Sequence, residues 1–126
     1  MAKLLVVDDS ATERDHLREV LVKAGHTVVT AVSGQAVVAL AQSERPDLIF
    51  MDIVMEGVDG YHATRALRED PTTMHIPVVV VSSKNQKADK MWAQLQGAKG
   101  YIVKPYAAEE ILKQIAHLLG GGAAAS

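Results

Sequence analysis

The sequence contains no cysteine, and that absence removes disulfide frameworks, thiolate zinc sites and cysteine nucleophiles together. Long apolar runs are missing as well; none approaches the ~20 residues of a membrane span. The apolar stretch from Leu4 to Val7 meets Asp8 and Asp9 at once, too soon for the apolar region of a signal peptide. A cytoplasmic protein without membrane insertion is expected. There is no excess of one charge: 13 basic side chains face 15 acidic ones, for a formal net charge of -2, so no electrostatic footprint for nucleic acid is present. Gly-x-Gly-x-x-Gly does not follow the first strand, which excludes a Rossmann dinucleotide site, and Gly-x4-Gly-Lys is absent, which excludes a P-loop. The five histidines, at 16, 26, 62, 75 and 117, show no His-Glu-x-x-His spacing and share no segment, so they read as solvated or core residues.

What is present is an alternation. Short runs rich in Val, Ile and Leu (Leu4 to Val7, Thr27 to Thr30, Leu48 to Met51, Val78 to Val81, Tyr101 to Val103) alternate with longer stretches of helical spacing. Most runs are continuously apolar, as strands are when both faces of a sheet are covered. Ser10 with Glu13 reads as a capping box opening a first helix, with Leu17, Val20, Leu21 and Ala24 on one stripe and Gly25 at its end. A second helix fits Gly34 to Gln42 and a third follows Gly60. A fourth carries the stripe Ala88, Met91, Trp92 and Leu95, and a fifth carries Ile111, Leu112, Ile115, Leu118 and Leu119. The expectation is an α/β fold of five βα units, with a doubly wound parallel sheet formed by one domain over residues 1–119. Residues 120–126, rich in Gly and Ala, read as a flexible tail or linker stub.

Ligands of an open parallel sheet sit beyond the carboxyl ends of its strands, near a switch in strand order. The first run ends in Asp8 and Asp9, the third in Asp52, the fourth in Ser82 and Ser83, and the fifth in Lys104 and Pro105. Only the second run lacks an ionic or hydroxyl group immediately after it. In the order 2-1-3-4-5 that strand lies at an edge and the other four converge on one cleft. Three carboxylates together repel, and each has its pKa raised unless a cation is bound. Oxygen ligands without His or Cys suit Mg²⁺ better than zinc. One carboxylate can then attack a phosphoryl group while the metal and a lysine offset charge and a hydroxyl donates a hydrogen bond. Asp52, Lys104 and Ser82 fit those roles.

The segments Val-Val-Asp-Asp-Ser (6–10), Asp-Leu-Ile-Phe-Met-Asp-Ile-Val-Met (47–55), Asp-Gly (59–60), Ile-Pro-Val-Val-Val-Val-Ser-Ser (76–83) and Gly-Tyr-Ile-Val-Lys-Pro-Tyr (100–106) resemble the CheY-like receiver domains of response regulators. The resemblance runs through residue 119 and implies a flavodoxin-like fold. It implies that Asp52 is the phosphoacceptor, Asp9 a direct Mg²⁺ ligand, Asp8 a mostly water-mediated one and the Val54 backbone carbonyl a further ligand. It makes Lys104 the phosphoryl contact, Ser82 and Tyr101 the switch residues, and the Lys104–Pro105 bond cis, where the general preference of X-Pro bonds is trans. A histidine kinase would be the donor, and a downstream effector or motor protein would bind the face of helix 4, strand 5 and helix 5. The stretch Lys84 to Gly97 looks most like the PilH-like single-domain regulators of type IV pilus chemosensory systems. Receivers usually carry Pro where this chain has Glu56, whose carboxylate is expected to slow anionic donors or to pair with Lys84.

Plainer readings compete. An Asp-Asp pair alone more often starts a helix, because acids favour helix N-termini. It is the joint occurrence with Lys104 and Ser82 that favours a site. Ser83 reads as a cap or surface hydroxyl, Trp92 as half-buried packing on the flank of its stripe, and Tyr106 as packing. Two rival functions remain: a phosphate sink that drains a shared kinase, and a small hydrolase with an Asp nucleophile. The hydrolase needs Asp-x-Asp, whereas Asp8 and Asp9 are adjacent. A signalling switch and not a turnover enzyme is therefore expected.

Overall fold

The computed structural model describes residues 2–55 and 57–120. The expectations for Glu56 and for residues 121–126 lie outside the described residues. Five strands, β1 (Lys3–Val7), β2 (Thr27–Ala31), β3 (Leu48–Met51), β4 (Val78–Ser82) and β5 (Gly100–Val103), alternate with five helices, α1 (Ala11–Lys23), α2 (Val37–Glu44), α3 (Gly60–Glu69), α4 (Lys87–Leu95) and α5 (Ala108–Leu118). All strand pairs are parallel and the order is β2-β1-β3-β4-β5, as inferred from the missing polar group after the second run.

The continuous apolar runs have the cause expected of them: side chains alternate between two covered faces. Leu5, Val7, Ile49, Met51 and Val78 pack with Val37 and Ala41 of α2 and Ala63 and Leu67 of α3. Leu4, Val6, Leu48, Phe50, Val79, Val81 and Ile102 pack with Leu17 and Leu21 of α1 and Ile111 and Ile115 of α5. A smaller cluster of Ile53, Val80, Ala93 and Ala98 seats α4.

Three local expectations need correction. The capping box on α1 is half made: Ser10 Oγ accepts the Glu13 N–H at 3.3 Å, but the Ser10 N–H donates to Asp8 Oδ1 at 2.9 Å. Helix α2 starts three residues later than its spacing suggests. Gly34 lies against the loop after β3, where an added Cβ would come 2.6 Å from the Val58 carbonyl oxygen, so its close approach belongs to a turn. The third correction concerns α4. Ala88, Met91, Trp92 and Leu95 share a face as expected, but that face is exposed, and only Ala93 of this helix is buried.

Candidate functional site

Strand register brings the acids together. Val7 pairs with Met51, so the next residues, Asp8 and Asp52, stand side by side at the ends of β1 and β3. Their backbones continue the sheet pattern, with the Asp52 N–H donating to the Val7 carbonyl at 3.0 Å and the Asp8 N–H to the Ala31 carbonyl at 3.1 Å. Asp8 and Asp52 are buried and Asp9 is exposed at the rim, yet one carboxylate oxygen from each lies within 4.8 Å of the others. Lys104 enters from the end of β5. Its Nζ lies 3.0 Å from Asp8 Oδ2, 3.5 Å from Asp52 Oδ2 and 3.2 Å from Glu13 Oε1. The bond from Lys104 to Pro105 is cis, as the family resemblance implies.

The electrostatics follow from that crowding. Burial lifts the Asp52 carboxyl from 3.8 to about 6; Lys104 opposes the lift, the Asp8 charge adds to it, and the N–H groups of Val54 and Ile53 oppose it. Burial disfavours the Lys104 ammonium, but the hydrogen bond to Asp8 and the charges of Asp52 and Asp8 outweigh it, so its pKa rises above the usual lysine value. The cluster holds more negative than positive charge, and an oxygen-only donor set of this kind suits a hard divalent cation.

Ser82 is fully buried at the end of β4. Its Oγ accepts the Lys84 N–H at 3.2 Å, and the Tyr101 hydroxyl donates to the Lys84 carbonyl at 2.7 Å. Residue 84 is therefore tied to both, its N–H to Ser82 and its carbonyl to Tyr101. Tyr101 packs beside Ile53, Val80, Ala93 and Ala98, and burial pushes its phenol up to about 12. The Val54 N–H donates to Asp52 Oδ1 at 3.3 Å, which ties the loop after β3 to the Asp52 carboxylate.

That loop is also fixed from below. Gly60, first residue of α3, donates its N–H to the Ile53 carbonyl at 2.9 Å, and a Cβ there would run into the Asp52 carbonyl oxygen and come within 2.7 Å of Ile53 Cα. Asp59 caps the helix, accepting the His62 N–H at 2.9 Å.

Two neighbours escaped the sequence reading. Glu13 spends its carboxylate on Lys104, not on the helix cap, and Arg14 Nη1 donates to the Asp8 carbonyl at 2.9 Å. Both lie in the first turn of α1, and their nearness to Asp8 and Asp9 in the chain was the available signal. Of the expected residues, Asp8, Asp9, Asp52 and Lys104 come together, with Ser82 on the neighbouring strand end. No histidine belongs to the acidic cluster.

A family model described as the response regulator receiver domain matches residues 4–116. Protein PilH of Pseudomonas aeruginosa is 48% identical over 121 residues, covering 96% of this chain and 100% of that protein. The chemotaxis protein CheY4 of Vibrio cholerae superposes with a TM-score of 0.88 at 32% identity, covering 94% of this chain and 98% of that one. The receiver domain of a sensor histidine kinase from Pseudomonas aeruginosa PAO1, whose structure has a magnesium ion coordinated in its active-site cleft, shares the fold with a TM-score of 0.88 at 24% identity, covering 94% and 98%. No described helix is long and apolar enough to cross a membrane.

Proposed function

This chain belongs to the response regulator receiver domain family, and on that premise we propose that it is a phosphorelay switch that accepts a phosphoryl group on Asp52. The observation that carries the proposal is the placement of Asp52 at the end of β3, beside Asp8 and Asp9 and within 3.5 Å of the Lys104 ammonium, which also holds Asp8. The residues fit Mg²⁺: Asp8, Asp9 and Asp52 bring carboxylate oxygens within 4.8 Å of one another, and by the family resemblance Asp9 would hold the ion directly, Asp8 mostly through water, and the Val54 carbonyl would be a further ligand. Bound there, Mg²⁺ supplies positive charge against the carboxylates and the phosphoryl oxygens.

Asp52 attacks phosphorus with a carboxylate oxygen as the bond to the donor's leaving group breaks. Lys104 leaves its shared contacts and pairs with a phosphoryl oxygen. Ser82 has a hydroxyl proton to donate, since its oxygen is the acceptor in the bond to Lys84. When Ser82 turns toward the phosphoryl group that bond is lost. The Lys84 peptide, still tied to Tyr101, then shifts the loop before α4. A differential affinity of a few kcal/mol is enough to move such a balanced pair of states. The face of α4, β5 and α5 carries the change to a downstream effector or motor protein, and a histidine kinase supplies the phosphoryl group. By its likeness to PilH the switch is assigned to a type IV pilus chemosensory system in the cytoplasm, its receiver unit covering residues 1–119.

The test is intact mass after incubation with a small acyl phosphate and Mg²⁺. Gain of one phosphoryl group by the parent, absent in Asp52→Asn and abolished by chelation, is the expected outcome. Equal gain by Asp52→Asn would place the acceptor elsewhere.

A further inference from the structure

Helix α4 rests on a thin seat. Of its own residues only Ala93 is buried, and the cluster beneath it is Ile53, Val80, Ala93 and Ala98, closed by the rings of Tyr61 and Tyr101. So few buried apolar contacts hold an element loosely. Two tyrosine hydroxyls add directed bonds, one from β5 and one from α3. Tyr101 donates to the Lys84 carbonyl at 2.7 Å, ahead of the helix. Tyr61 donates to the Asp89 carbonyl at 3.2 Å, inside its first turn, and meets the Trp92 ring edge-on at 6.5 Å. A helix carbonyl keeps a second lone pair for such a bond. Among the described residues no other side-chain hydrogen bond joins α3 to α4.

What stands behind Tyr61 is the acceptor itself. Tyr61 follows Gly60, whose N–H donates to the Ile53 carbonyl at 2.9 Å and whose missing Cβ lets the start of α3 lie against the Asp52 carbonyl. Asp59 fixes the same turn by accepting the His62 N–H at 2.9 Å. The backbone at Tyr61 is thus fastened to the residue after Asp52, while its hydroxyl is fastened to α4. Tyr61 is partly buried, and burial raises its phenol above the usual value, so the bond is shielded in part from competing water.

We propose that Tyr61 is a positioning residue of the phosphoryl switch: its hydroxyl tethers α4 to the acceptor end of β3 and holds the helix in its unphosphorylated place. The inference rests on the reading of Asp52 as the acceptor. When Ser82 turns to the phosphoryl group and gives up the Lys84 N–H, residues 84–86 move, and the first turn of α4 moves with them because Asp89 accepts the Gln86 N–H at 3.1 Å. The Asp89 carbonyl then leaves the Tyr61 hydroxyl, and Trp92 leaves the Tyr61 ring. The tether therefore opposes the switch. Without the hydroxyl a larger share of unphosphorylated molecules holds the switched arrangement, and that share takes up the phosphoryl group faster.

Tyr61→Phe keeps the ring and deletes the hydroxyl. With a small acyl phosphate and Mg²⁺ it is expected to gain its phosphoryl group about two- to tenfold faster than the parent by intact mass, the factor that one hydrogen bond is worth. The same substitution is expected to have no effect in Ser82→Ala, where no hydroxyl reaches the phosphoryl group to move the loop. Trp92 is the only tryptophan in the chain and gives a second readout. In the parent its emission is expected to move to longer wavelength in step with phosphoryl gain. A role in packing alone would change the unfolding midpoint and neither of these. Three results overturn the tether and leave the reading of Asp52 standing. They are a Tyr61→Phe rate equal to or below that of the parent, equal acceleration with and without Ser82, and phosphoryl gain by the parent with no change in Trp92 emission. No phosphoryl gain by the parent overturns the reading of Asp52 and the tether with it.

Discussion

Replacing Asp52 by Asn is expected to stabilise the metal-free protein at neutral and alkaline pH and to have no such effect in acid. The carboxyl titrates at about 6 in the folded chain against 3.8 for the unperturbed group. Burial is the main cause, partly offset by Lys104 and reinforced by Asp8. Between roughly pH 4 and pH 6 the native state holds a proton that the unfolded chain has lost. The native state binds more protons in that window, so stability falls as pH rises through it and stays lower above it. A lift of about two pH units corresponds to about 3 kcal/mol. Asn keeps the shape and the acceptor for the Val54 N–H without the charge, but it gives up the attraction to Lys104 Nζ at 3.5 Å. Lys104 retains Asp8 and Glu13, so the net gain is expected to be about 1–3 kcal/mol at pH ~8 and near zero at pH ~4.

Urea unfolding of both proteins in a chelating buffer, at those two pH values, measures this difference as a change in midpoint at constant slope. An equal gain at both values would mean that packing and not charge is responsible. A loss at the higher value would mean that Lys104 and the two N–H groups outweigh the desolvation. In either case the Asp52 carboxylate would not be held in an unfavourable charged state.

Glu13→Gln removes one of three acids competing for Lys104; because Glu13 is about half exposed, the pair is weak, and phosphoryl gain from a small acyl phosphate should quicken by only about two- to fivefold. A rate unchanged or slowed by the substitution would show that Glu13 does not restrain the lysine. Gly60→Ala puts a methyl group against the backbone of Asp52 and Ile53 and should cost about 1–3 kcal/mol, with slower phosphorylation because the end of β3 is displaced. Denaturant melts and the same mass assay read both effects, and a fully stable, fully active variant would show that α3 does not fix the acceptor's position.

Legibility in the sequence differed between strands and helices for a physical reason. A strand in a parallel sheet is enclosed on both faces by the chain's own helices, so its apolar run and the polar residue that stops it mark both the strand and the cleft. Asp8, Asp9, Asp52, Ser82 and Lys104 were found that way, and β2 was placed at an edge by the lack of such a residue. Helices α1 and α5 obeyed the same inward rule, since Leu17 and Leu21 or Ile111 and Ile115 have the sheet to cover them. Spacing, however, says which residues share a face and not what lies opposite it. Glu13 sat at the position of a capping acid, but the Ser10 N–H it would have accepted was already bonded to Asp8, and Lys104 was within reach. On α4 it is the small residue Ala93, with Ala98 just beyond the helix, that is pressed to the sheet, which lets the helix sit close while its larger apolar side chains point outward. The stripe that misleads a reader looking for the core is thus displaced outward by its smaller neighbours, and of its large members Trp92 finds a contact within the fold, edge-on to Tyr61 of α3.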